Sequence, residues 1–301
     1  MEFRRYQREA RQTNRIPDDA TEITPLLGLA GEAGELLSEY KKHLRDRDIH
    51  PLRPERVEEE LGDLLWYIST VATHFNLDLE KVAEKNLVKA RDRWTELHGT
   101  PREPFDKRAK ATERLPRQFD VHFIESASDQ QVQVRGYVGT QQVGDPLTDN
   151  AYVDDGYRFH DVFHLGYAAI LGWSPVTRAL LKRKRKSNKR VDNVEDGGRA
   201  IAVEEGIAAF VFEYARDHHW LDRANRVDSD LLKMIKTATR HLEVSDCTAS
   251  EWERAILAGF EAWRVIEDNQ GGWVHVDLDK RMITATKRKA TVSKRRSREH
   301  L

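Results

Sequence analysis

The chain of 301 residues contains one cysteine, Cys247. A single thiol excludes an internal disulfide and any all-thiolate metal site built by one chain. Long apolar runs are also missing. None approaches the ~18–20 residues of a membrane-spanning helix, so no membrane partner is expected. The opening MEFRRYQREARQ lacks an apolar core, which argues against a secretory signal and makes a cytoplasmic location the expectation. No Gly-x-Ser-x-Gly turn and no Walker-type phosphate loop occurs, so neither serine-nucleophile nor P-loop chemistry has a motif. Charge, by contrast, is plentiful. Charged residues make up 34% of the chain, yet the net charge is only −1. The balance hides an asymmetry: residues 280–301 carry nine Lys/Arg and one acidic residue, while the body is mildly acidic.

The length suggests two domains, and the hydrophobic pattern changes once along the chain. Apolar residues recur at spacings of three and four through 26–44, 57–75 and 79–94, and residues 1–98 read as an all-α bundle. Thr24-Pro25 marks a helix start, with threonine as cap and proline at the first helical position. Residues 99–118 are polar, contain three prolines and lack periodicity, the pattern of a linker. Beyond it, 119–125 and 131–139 alternate like paired strands, helical patterns follow, and 273–277 with 281–286 form a second hairpin. Residues 119–286 therefore read as an α+β domain whose two hairpins flank a helical core. The basic end, 287–301, reads as a disordered tail.

Two acidic motifs stand out in the helical part. GLAGEAGELL holds Glu32 and Glu35, and EEELGDLL holds Glu60 and Asp63. Residues three apart share a helix face, so each helix presents two carboxylates in one direction. One such pair alone reads as a solvated face; two in order, each on a strongly apolar helix, read as a cation site. Converging carboxylates repel by several kcal/mol at low dielectric unless a cation sits among them. Magnesium, or manganese as the alternative, suits an all-oxygen donor set. Gly28, Gly31, Gly34 and Gly62 interrupt these helices at a cost of roughly 1 kcal/mol each, which invites a close approach by a ligand or another backbone.

Glu32-Ala-Gly-Glu35, 24 intervening residues, and Glu60-Leu-Gly-Asp63 resemble the Glu-x-x-Glu … Glu-x-x-Asp signature of MazG-like nucleotide pyrophosphohydrolases, within the all-α nucleoside triphosphate pyrophosphatase superfamily. Asn86, Lys89 and Arg93 are similar to that family's downstream Asn-x-x-Lys-x-x-x-Arg element. The resemblance spans about residues 20–98. It implies an oligomeric helical bundle that uses Mg²⁺ to cleave nucleoside triphosphates to monophosphate and pyrophosphate. With that chemistry Glu32, Glu35, Glu60 and Asp63 would be the ligands, and one carboxylate, Glu35 or the extra Glu59, would activate water, a choice the sequence leaves open. Asn86, Lys89 and Arg93, with Lys41 as a weaker candidate, would meet the phosphates. Trp66 and Tyr67 either stack on a base or pack in the core. Helices with apolar residues on several faces need further cover, so a homodimer or a dimer of dimers is expected.

The second domain offers a different cluster. His160 and His164 are four apart, a spacing that suits two imidazoles on one metal. Glu204 and Glu205 lie within a strongly apolar helix and need partners. A possible second site of His160, His164, Glu204 and Glu205 follows, either a metal site or a polar network. The basic run 182–190 and the tail give the rival reading, a nucleic-acid-binding or regulatory module whose bundle serves oligomerisation. The run lacks the interleaved aromatics that stacking on single strands requires, so nucleic acid is not the expected partner.

Overall fold

The computed structural model describes residues 1–17, 22–94, 102–128 and 131–287. These fall into two compact units, Met1–Arg91 and Asp92–Leu301. The first is helical: α1 (Phe3–Thr13), α2 (Thr24–Asp46), α3 (Pro54–His74) and α4 (Leu79–Trp94). Helix α2 begins where the Thr-Pro pair places it, but Ile23 occupies the cap position and Thr24 is already helical. Helix α2 packs on α3, and α1 packs on α3 as well. Gly28 makes the α2–α3 contact close: a Cβ there would lie 2.2 Å from the Tyr67 ring. Gln7 of α1 clamps the α3–α4 turn by donating to Leu77 O at 2.8 Å and accepting from Leu79 N at 2.9 Å. Among the described residues of this unit, Ala10, Ala72 and Leu79 are the buried apolar side chains apart from Pro25.

The second unit is built on one antiparallel sheet with strand order β3-β2-β1-β4-β5. Its strands are β1 (Gln118–Ser128), β2 (Gln131–Val138), β3 (Gln141–Leu147), β4 (Gly271–Asp277) and β5 (Met282–Thr286). The two expected hairpins are present, and β1–β4 pairing fuses them, with His122 opposite both Tyr137 and Trp273. Between the hairpins run α5 (Asp161–Leu171), α6 (Pro175–Leu180), α7 (Lys189–Val194), α8 (Gly198–Asp217), α9 (Ser229–Thr239) and α10 (Ala249–Asp268). Helix α5 is buried at every position from Val162 to Leu171. It packs on α10, both helices lie against β4 and β5, and the two helices meet at Gly166 and Gly259. A Cβ on Gly166 would lie 3.2 Å from the Gly259 Cα.

The linker expected at 99–118 requires correction. Its described part, 102–117, is packed into the second unit. Leu115 is 1% exposed and Asp106 is 2% exposed. The Asp106 carboxylate accepts from Leu115 N at 2.8 Å, from Arg178 at 3.1 Å and from Arg117. Long-range ion pairing, which leaves no periodicity in the sequence, holds this segment. Of the expected basic tail, residues 288–301 lie outside the described residues.

Candidate functional site

Helices α2 and α3 bring Glu32, Glu60 and Asp63 together, with one carboxylate oxygen of each lying within 4.8 Å of the others. Glu60 is 8% exposed. Burial raises its carboxyl above the ordinary range, and repulsion from Glu35, Glu32, Glu59 and Asp63 adds to the rise. Glu32 is raised by burial too, then by Asp63 and Glu35. Groups that resist becoming negative next to one another are those a divalent cation relieves. The donor set is all oxygen, which fits magnesium or manganese.

The other acidic candidates divide. Glu35 is exposed and outside the group of three, but close enough that its charge bears on Glu32 and Glu60. Glu59 is exposed and pairs with Arg56 at 3.3 Å on its own helix. Tyr6 of α1 is a neighbour that the sequence did not single out. Burial raises its phenol, and the Asp63 carboxylate adds to the shift. Helix α1 is too polar for its pattern to announce that role.

The remaining candidates are spread over the unit. Asn86 and Lys89 lie exposed on α4, and the Arg93 side chain lies outside the described residues. Lys41 is exposed on α2, while Lys42 pairs with Glu39 at 2.6 Å. The Trp66 indole donates to Thr13 Oγ1 at 2.8 Å, and Tyr67 packs edge-on to Trp66 against Gly28. Both aromatics are thus engaged in joining α1, α2 and α3.

In the second unit, His164 and Glu204 are fully buried and meet at 2.9 Å through His164 Nδ1. His164 Nε2 lies 3.3 Å from Glu205 Oε2, and His160 Nε2 lies 3.9 Å from the same oxygen. Burial opposes charge on His164, but Glu204 and Glu205 overcome it and lift its pKa to about 10. Burial lowers the His160 value and pushes the Tyr157 phenol, stacked on His160, up to about 12. The basic run is partly structural. Arg185 is 4% exposed and pairs with Asp196 and Glu243 at 2.7 Å each, and Arg183 donates to Thr112 O. Those two cations are committed to the fold rather than to a nucleic-acid backbone.

Comparison with known proteins follows the two-unit division. The MazG nucleotide pyrophosphohydrolase domain matches residues 20–98, so the helical unit is of that class. The MazG C-terminal domain matches residues 100–289, more than half of the chain, and the chain belongs to the MazG family. The Gene 37 protein of Mycobacterium phage L5 is 39% identical over 69 residues, which are 22% of this chain and 60% of that protein. The chain therefore spans about three-fifths of that relative's length. No solved structure matches it. Among the described residues, no helix is long and apolar enough to cross a membrane.

Proposed function

We propose that the helical unit hydrolyses nucleoside triphosphates between the α and β phosphates, releasing a monophosphate and pyrophosphate. The observation that carries this reading is the convergence of Glu32, Glu60 and Asp63 from two adjacent helices, in a domain of the nucleotide pyrophosphohydrolase class. Glu32, Glu60 and Asp63, with Glu35 beside them, hold Mg²⁺, or Mn²⁺ in its place. When bound, the cation supplies neutralisation of triphosphate charge and polarisation of the attacking water. Glu35 is the better general base. Its charge bears on both Glu32 and Glu60, whereas that of Glu59 bears on Glu60 alone. Asn86 and Lys89 lie on α4 and Lys41 on α2; they provide the groups that orient the phosphates, and Arg93 extends the α4 series. Control of a nucleotide pool, or removal of noncanonical nucleotides, is the use such an activity serves.

The test is a panel of nucleoside triphosphates incubated with the chain and Mg²⁺, with products resolved by chromatography. Monophosphate and pyrophosphate that vanish on chelation support the reading. Orthophosphate and diphosphate as the only products would refute the assigned bond.

A further inference from the structure

The histidine–glutamate cluster of the second unit has the construction of a metal site, separate from the carboxylates of the helical unit. The Nε2 atoms of two imidazoles approach one carboxylate oxygen. Glu205 Oε2 lies 3.3 Å from His164 Nε2 and 3.9 Å from His160 Nε2. Asp161 borders the same two rings: one ligand atom each of His160, Asp161 and His164 lie within 4.8 Å of one another, a group that does not include Glu205. Ligands held about 2.1 Å from a tetrahedral ion stand roughly 3.4 Å apart. The two glutamate–histidine separations bracket that value.

The opposite edges of the imidazoles give an independent argument. A histidine that binds metal through Nε2 normally donates its Nδ1–H to a carboxylate or a backbone carbonyl, which fixes the tautomer and the ring plane. Both arrangements occur here, one on each ring. His160 Nδ1 faces the Tyr157 carbonyl oxygen at 2.9 Å, and a carbonyl only accepts, so the proton sits on Nδ1. His164 Nδ1 faces Glu204 Oε1 at 2.9 Å. Glu204 is itself fixed, accepting from Ser174 Oγ at 2.6 Å and from Val176 N at 2.8 Å. The two Nε2 atoms are therefore aimed at Glu205 by groups that do nothing else for it. A buried ion pair alone would need only His164 and Glu204. It would not require a second histidine, held by its own backbone acceptor, to face the same outer carboxylate. Glu205 is 41% exposed, which leaves the cluster open to solvent on one side.

We propose that His160, His164 and Glu205, with Asp161, form a second metal site that takes a first-row transition dication such as Zn²⁺ or Co²⁺. Imidazole ligands favour these ions over Mg²⁺, so the two units select different metals. Glu204 and the Tyr157 carbonyl act as positioning groups for the two rings.

The full-length, tag-free chain is stripped of metal, dialysed against Zn²⁺ in excess Mg²⁺, and its bound zinc counted. Co²⁺ titration then reads the visible ligand-field bands. One retained zinc per chain and cobalt bands of a nitrogen-containing site are expected. His160→Ala and Glu205→Gln should each weaken Zn²⁺ by at least ~10-fold, with circular dichroism unchanged. Glu205 is partly exposed, so its amide variant keeps the test alive should His160→Ala unfold. Failure to retain zinc, or retention equal in wild type and both variants, overturns the proposal. Nucleotide hydrolysis by the helical unit is scored separately in the same preparations with Mg²⁺ alone. Its presence or absence leaves the zinc count interpretable.

Discussion

At the scale of single residues, charge in confined places decides most of the behaviour. Glu60 is the most enclosed of the helical carboxylates and feels four like charges. Glu60→Gln and Asp63→Asn should each lower pyrophosphate release by ~100-fold or more, with helicity unchanged by circular dichroism. Wild-type rates in either variant would remove the site. Glu59→Gln, which removes a surface pair with Arg56 and one of the like charges on Glu60, should leave turnover within about threefold, since exposed pairs are worth little. Asp106 illustrates the opposite sign of shift. Burial alone would raise its carboxyl, but Arg117 and Arg178 hold it below its ordinary value of 3.8. A depressed folded value contributes stability that is fully present above the unfolded value and lost as pH falls through the folded one. Urea titrations at stepwise lower pH should therefore show the second unit weakening from about pH 4 downward. Asp106→Asn should be weaker already at neutral pH, by about 3 kcal/mol, because two arginines lose their buried partner. A variant as stable as wild type at pH 7 would show that the pairing contributes nothing.

Elements are fixed by patterns of different range, and this decides which of them the sequence discloses. Helices α2, α3 and α4 carry a 3.6-residue period over sixteen or more residues, so their pattern is legible, as are the Glu-x-x-Glu and Glu-x-x-Asp spacings they bear. Strands β1 and β2 alternate and are legible for the same reason. Strand β3 is not: QQVGDPL contains a glycine and a proline and buries only Val143, as an edge strand can. Helices α6 and α7 have six residues each, too few to show a period. The segment 102–117 is held by Asp106 reaching Arg178, 72 residues away, and no local rule reports a bond of that span. The α5–α10 crossing is likewise visible only in three dimensions. Gly166 faces the Gly259 backbone and the Ala255 carbonyl at 3.2 and 3.3 Å from where its Cβ would stand. Backbone cannot step aside as a side chain can. Gly166→Val should cost about 1–3 kcal/mol through overpacking, read as a shift in the urea midpoint by tryptophan fluorescence. An unchanged midpoint would show that the crossing has slack.

At the scale of the whole molecule, the two units differ in how well each covers its own apolar surface. The second unit encloses Trp173, Trp252, Phe163 and Phe260 almost completely. The helical unit leaves Leu37 69%, Tyr40 44% and Leu44 71% exposed, a stripe at spacings of three and four along α2. On α4, Leu87 and Val88 are 54% and 64% exposed. Each such side chain would gain about 1.5–3 kcal/mol on full burial, which favours a partner that covers them. The glycines point the same way. A Cβ at Gly31, Gly34 or Gly62 would meet nothing within 4 Å in the single chain. Each costs about 1 kcal/mol in a helix interior, so close packing within one chain gives no reason for them. A second backbone laid across these faces, or a ligand at the neighbouring carboxylates, would. The composition change that separates the units was readable in the sequence, but the missing cover was only an inference from helix count. The expectation is a homodimer, or a dimer of dimers, of the full chain at micromolar concentration by light scattering. Leu37→Glu combined with Leu44→Glu should shift the population toward monomer and lower the melting temperature of the helical unit, because two charges would then have to be buried. A wild-type chain that is strictly monomeric at that concentration would leave the α2 stripe solvated and sink the expectation.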